Sequence, residues 1–185
     1  MFLSEGANDG FISQNPMSYT NHPSDPEPGI LAGEPSGSSS MHYKGFLSFH
    51  TGDLGAVAVL GAKLRLRQGT SGSNFNPNSQ CMVDIKNGYF GTSAGLDRTY
   101  DFNDTTATTT NAFSIIQADP TTNWFEANVV KSTAALDINL ASDGRTQFRI
   151  YFPTGSVAGR YEGWYSGNSI GTSTDYPPQL LIRYQ

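Results

Sequence analysis

Eleven basic residues are few for a chain of 185, yet six of them fall into a pattern suited to holding carboxylates. Residues 62–67 read Ala-Lys-Leu-Arg-Leu-Arg, residues 146–152 read Thr-Gln-Phe-Arg-Ile-Tyr-Phe, and residues 180–184 read Leu-Leu-Ile-Arg-Tyr. Strict alternation marks a strand with one buried and one wet face. Ala62, Leu64, Leu66, Phe148, Ile150 and Phe152 then turn to the core. Lys63, Arg65, Arg67, Arg145 and Arg149 project the other way, as does Arg183 near the end of the chain. Guanidinium forks match carboxylates bidentately. Arg65, Arg67 and Arg149 are therefore expected on one sheet face, contacting the carboxylates of an acidic ligand. Tyr151 alternates onto the face of Arg149. Tyr151, Tyr161, Trp164 and Tyr165 are the candidates to stack on sugar rings. Outward cations have a competing use, which is to solubilise a sheet and discourage edge pairing. For Trp124 and Trp164 the competing use is packing in the core or at its rim.

Other chemistry finds less in the sequence. Gly167-Asn168-Ser169-Ile170-Gly171 fits the Gly-x-Ser-x-Gly spacing. A nucleophile elbow needs a helix after it and its histidine later in the chain. Here a loop-forming run follows, and His22, His42 and His50 all precede it. His50 and Asp53 are close enough to pair, but their setting at a strand end reads as turn chemistry. A glycosidase needs two converging carboxylates, and sequence does not show which of the sixteen acids converge. Phosphate-loop, His-Glu-x-x-His and Cys-x-x-Cys motifs are missing. The chain is expected to be non-catalytic and to carry no cofactor. Calcium is the one ion with oxygen donors to hand, at Asp101-Phe102-Asn103-Asp104 and Asp25-Pro26-Glu27. Neither has the spacing of a calcium loop, so capping or solvation comes first.

The elements that must carry these residues are strands. The length suits one domain over residues 1–185. Only 15% of residues are charged, and Gly, Ser, Thr and Asn separate short apolar runs. The net charge of −5 argues against nucleic acid as a partner. No run reaches the roughly 20 apolar residues of a membrane span. The single cysteine, Cys81, excludes an intrachain disulfide and is expected buried beside Val83 and Ile85. Residues 1–42 read as loop-rich and acidic, with five of the ten prolines and no basic residue before Lys44. Short strands there are expected near 9–13 and 29–33. Further strands are expected at 43–49, 57–68, 80–86, 113–117, 124–130, 145–152, 161–165 and 179–184, with helical turns at 92–98 and 133–140. About ten short strands split by Asn87-Gly88, Asp143-Gly144 and Pro177-Pro178 predict an all-β fold. A two-sheet antiparallel β-sandwich, jelly-roll-like, is the expected architecture.

A set of framework residues points further. Tyr43-Lys44-Gly45-Phe46-Leu47-Ser48-Phe49 precedes Gly61-Ala62-Lys63-Leu64-Arg65-Leu66. Val83-Asp84-Ile85-Lys86-Asn87-Gly88-Tyr89-Phe90-Gly91 and Gly144-Arg145-Thr146-Gln147-Phe148-Arg149 follow. Tyr165-Ser166-Gly167-Asn168 and Pro178-Gln179-Leu180-Leu181-Ile182-Arg183-Tyr184 close the chain. In this order, from about residue 9 onward, the chain resembles the DNRLRE-type domain of secreted bacterial and archaeal proteins. The resemblance implies an extracellular β-sandwich serving as an accessory module, related to carbohydrate-binding modules attached to alginate lyases. Where such domains often carry an Asp/Asn-rich segment before Tyr-Ser-Gly, residues 153–160 hold no acid.

Two functions compete on this reading. One is a secreted, non-catalytic module that binds polysaccharide, including uronate-containing polysaccharide, through Arg65, Arg67, Arg149, Tyr151 and Trp164. The other is a self-assembling subunit of an extracellular filament, coat or adhesive array. There an ordered Met1-Phe2-Leu3 would pack as an arm on a neighbouring copy, giving a homo-oligomer.

Overall fold

A computed structural model describes residues 1–15, 18–23, 29–35, 41–55, 57–69, 81–119, 121–129, 137–153, 159–167 and 176–185. Its strands are β1 (Phe2–Leu3), β2 (Gly10–Asn15), β3 (Ser18–Pro23), β4 (Ile30–Gly33), β5 (His42–His50) and β6 (Val59–Arg67). They continue with β7 (Met82–Asn87), β8 (Thr109–Asp119), β9 (Trp124–Val129), β10 (Arg145–Tyr151), β11 (Tyr161–Trp164) and β12 (Gln179–Tyr184). One six-residue helix, α1 (Arg98–Asn103), lies between β7 and β8. No helix among the described residues is long and apolar enough to cross a membrane.

The strands pack as the all-β sandwich expected from the sequence. Along the hydrogen-bonding path their order is β1-β12-β6-β9-β8-β7-β10-β5-β2-β3, and β4 links β5 to β11. All the strand pairings are antiparallel. A bridge between Gln68 and Trp164 joins β11 to the end of β6, so the path returns on itself and the two layers are tied at their margin.

The alternating apolar residues fill the space between the layers. Leu64 and Leu66 of β6, Phe125 and Ala127 of β9, Phe113 and Ile115 of β8, and Phe148 and Ile150 of β10 are buried in one cluster. Ile30, Ala32 and Trp164 close it from the other side of the path. Phe49 and Phe113 each meet Phe148 edge-on, with centroids 5.6 Å apart. Gly45 makes room here, since a Cβ would stand 2.5 Å from Ile30 Cγ2. Cys81 is buried beside Val83 and Ile85, as expected.

A second, smaller cluster lies on the reverse of the same strands. Ile12 of β2 and Phe46 of β5 pack with Phe90 and Phe102, and Leu96 and Ala107 sit against them. The segment from Gly88 to Thr108, with α1 inside it, therefore caps the outer side of β5 and β10. Five consecutive residues are buried in each of these two strands, as in strands covered on both faces. β6 keeps the alternating pattern of a strand with one wet face.

Three expectations need correction. The proline-rich start carries more strand than expected: β1 and β3 are ladder strands where the sequence reads as loop, while β2 and β4 fall on the strands expected near 9–13 and 29–33. β3 is an edge strand that ends in Pro23, a position where a missing amide costs no ladder bond. The helical turn expected at 92–98 lies further on, at Arg98–Asn103. Of that expected at 133–140, residues 133–136 fall outside the described residues. Finally, Met1-Phe2-Leu3 is no free arm. Phe2 opposes Leu180 and Leu3 opposes Gln179 on the chain's own β12, and Phe2 packs on the main core. Phe2 is partly buried there, while Met1 and Leu3 stay exposed.

Candidate functional site

The outer face of β6 is built from its register. Gly61 opposes Arg183. Lys63 lies between Leu181 and Asn128, and Arg65 between Gln179 and Glu126. Arg67 opposes Trp124. Partners in register point to the same face, and rows two residues apart repeat every ~6.8 Å. Lys63, Arg65 and Arg67 thus form a column of cations, with Arg183 at its head.

Their neighbours set their chemistry. Lys63 Nζ donates to Glu126 Oε2 at 2.6 Å. Arg65 Nη1 donates to Gln179 Oε1 at 3.1 Å, and Arg65 Nε stands 3.4 Å from Glu126 Oε1. The Arg65 guanidinium lies 4.8 Å from the Trp124 ring centre, and that of Arg67 lies 4.4 Å from Tyr176. Trp124 meets Tyr176 edge-on at 6.3 Å, and Tyr176 stacks on Tyr165 at 6.2 Å. All five side chains are partly exposed. The face offers guanidinium donors held over π-faces, which orients them without neutralising them. Such a face can hydrogen-bond carboxylates and stack on flat apolar surfaces.

Arg149 has the outward parity expected of it but not the role. The cap covers it, leaving its side chain 8% exposed. Its Nη2 and Nε donate to Asp84 Oδ2 at 2.6 and 3.2 Å. Its Nη1 donates to the carbonyls of Asp101 and Asp104 at 3.1 and 2.6 Å. The Phe90 ring closes over the guanidinium at 4.7 Å. Asp84 Oδ1 accepts in turn from the Asn111 amide, with the Tyr151 hydroxyl 3.3 Å away. Arg149 does bind a carboxylate, but one of its own chain. Tyr151 belongs to the same clasp: its hydroxyl donates to Asn111 Oδ1 at 2.7 Å, and burial pushes it up to about 12. Gln147, one row away, binds the Phe90 amide and the Ala94 carbonyl. Lys44 donates to the Phe102 carbonyl, and burial draws its ammonium down to about 8. Gln147, Arg149 and Tyr151, outward on β10, therefore anchor the cap or its clasp.

Trp164 is also corrected. It is fully buried, edge-on to Phe125 in the main core, and presents no face to a sugar. Its indole alternates inward with Glu162, whose carboxyl burial raises to about 7 even though Gln68 and the Gly163 amide donate to it.

Asp9, Glu5, Asp104 and Asp101 are engaged by backbone amides or by arginine. Asp9 accepts from the Ser48 and Gly167 amides, and burial raises its carboxyl to about 6. Burial also acts to raise Glu5, but hydrogen bonds from Arg145 and Ser48 outweigh it and hold Glu5 below the usual range. Arg145 is thus occupied with Glu5. Asp104 accepts from the Gly91 and Thr106 amides, and Asp101 accepts from the Asp97 amide. These are capping uses, and among the described residues no three His, Cys, Asp or Glu are gathered to hold a metal ion. Asp25-Pro26-Glu27 and most of the Gly-x-Ser-x-Gly stretch lie outside the described residues. His50 stands 3.9 Å from both Asp53 and Asp143, whose side chains are 76% and 92% exposed, a surface arrangement.

Of the residues assigned to the site from sequence, Arg65 and Arg67 come together, Arg149 and Tyr151 sit in the clasp, and Trp164 sits in the core. Sequence reasoning missed Tyr176, Gln179 and the outward role of Trp124. For Trp124 a signal was present, since it alternates with the core residue Phe125. Tyr176 carries no such signal, because the sequence around it, Ser173-Thr174-Asp175-Tyr176-Pro177-Pro178, has no apolar alternation. In comparisons with known proteins, the chain matches no family model and no curated protein.

Proposed function

We propose that this chain is a non-catalytic extracellular module that binds acidic polysaccharide on the outer face of β12, β6 and β9. The observation that carries the reading is the row in which Arg65 lies over Trp124 and Arg67 over Tyr176. Ring faces and guanidinium donors exposed side by side suit a sugar that bears carboxylates. The likeness of the strand framework to DNRLRE-type domains supports the same reading and, with it, a secreted location. Assembly through an N-terminal arm has no matching support, since β1 pairs in cis.

Affinity electrophoresis through alginate, pectin and a neutral glucan tests the proposal. Retardation by the two acidic polymers is expected, weakening between 50 and 500 mM salt as screening sets in. Arg67→Ala is expected to lower affinity about tenfold, the equivalent of one charge-assisted hydrogen bond. Equal mobility in all three gels would overturn it.

A further inference from the structure

The column of cations on β6 is not uniform. Glu126 neutralises its middle, pairing with Lys63 and Arg65 at once. Its two ends are different. Among the described residues no carboxylate pairs with Arg67 or with Arg183, and Arg183 is exposed. Gly61, opposite Arg183, and Arg67 are six residues apart along one strand, which is about 20 Å.

Each end has its own surroundings. Around Arg183 lies a groove of about 380 Å³, lined by Gly61, Ala62, Lys63, Leu181, Ile182 and Arg183. Gly61 keeps it open. A Cβ there would touch only the Arg183 guanidinium, at 4.0 Å, and any larger side chain would fill the groove. At the Arg67 end stand the rings of Trp124, Tyr176 and Tyr165. One end therefore offers a cation above an apolar floor, and the other offers stacking surfaces.

We infer that the ligand is a linear polyuronate lying lengthwise along β6. It places one carboxylate in the Gly61 groove on Arg183, and its far sugar rings on the aromatic end beside Arg67. Glu126 acts as a built-in competitor that keeps Lys63 and Arg65 aligned and gives them up in part to ligand carboxylates. This deepens the reading above and rests on it. It adds three things: direction, a minimum length, and a residue whose loss strengthens binding. The span of ~20 Å set by the strand rise asks for a ligand of several sugar units, about four. A ligand lying across the strands would meet Glu126 and Gln179 instead of a line of cations.

Calorimetric titration with oligogalacturonates of two, four and six units tests this at low salt. Affinity is expected to rise about tenfold or more from two to four units and to level off by six, as the second end becomes reachable on one chain. Arg183→Ala and Gly61→Leu should each abolish that gain. Glu126→Gln should raise affinity for the four-unit ligand several-fold, because it removes a like charge from the path. Circular dichroism melts confirm that the variants fold; Arg183 is exposed and Gly61 has space. Polymer binding with no length dependence, or with the Arg183→Ala gain intact, would overturn this inference alone. An absence of binding to every acidic polymer would overturn the parent reading and this one together.

Discussion

The outer faces of β6 and β10 begin from the same sequence rhythm and end in opposite situations. On β6, Lys63, Arg65 and Arg67 are partly exposed and lean on one another's neighbours. On β10, Gln147, Arg149 and Tyr151 hold the 88–108 cap, and Arg149 donates to Asp84 and two carbonyls at once. The difference teaches that alternation reports which side of a sheet a residue takes, and not whether that side meets water. A cation on a capped face is a structural bolt. A cation on an open face is free to meet a ligand.

The largest test of this contrast is to remove one arginine from each face. Arg149→Ala leaves Asp84 charged and buried without its partner, and is expected to cost about 3–5 kcal/mol in urea denaturation. Arg67→Ala breaks no ion pair and is expected to stay within about 0.5 kcal/mol of the parent. Similar losses from both would erase the distinction.

Next in size is the packing under the cap. Phe102→Ala removes a buried ring from the small cluster with Ile12, Phe46 and Phe90. A loss of about 3 kcal/mol is expected. Hydrogen exchange locates it: amides in residues 88–108 should lose protection more than those of β6 and β9.

A smaller effect is the pH dependence, which sharpens the comparison because one of its sources lies in the cap. Burial raises Asp101 to about 7, reinforced by the charges of Asp97 and Asp104 and opposed by the Asp97 amide and Arg149. Asp9 and Glu162 are raised to about 6 and 7 by burial. Each of the three holds its proton more tightly folded than unfolded. Their contribution to stability is full below pH ~4 and is lost as pH rises toward ~7. Glu5 and Asp104 are held low and work the other way, losing their contribution as pH falls below ~4. Asp101→Asn is expected to recover on the order of 1–2 kcal/mol at pH 8 and little at pH 4, read from melts across that range. An equal effect at both pH values would remove Asp101 as a source.

The smallest expected change is at the margin between the faces. Arg145→Ala frees Glu5 at a partly exposed pair and should cost about 1 kcal/mol or less. It would be measured beside Arg149→Ala as the open-face counterpart on the same strand.

Much of the fold was legible. The runs around Leu64, Phe125 and Phe148 alternate cleanly, that around Leu180 less so, and the structure buries all four residues. β3 was not legible, because Ser18 to Pro23 has neither apolar alternation nor a turn signal, and its place comes from pairing with β2. The site was half legible. Arg65 and Arg67 sit in the same strand two residues apart, so local geometry alone brings them together. Arg149 and Tyr151 were placed on a shared face by parity and Trp164 was offered as a stacking ring, while burial by distant segments decided their roles.

The sequence by itself determined strand identity, sidedness and the identity of the core residues, because a two-residue period is a local property of extended backbone. Only the tertiary structure decided which outer face stays open. The cap is held by contacts such as those of Arg149 with Asp101 and Asp104, 48 and 45 positions apart, and no local pattern encodes a partner that far along the chain.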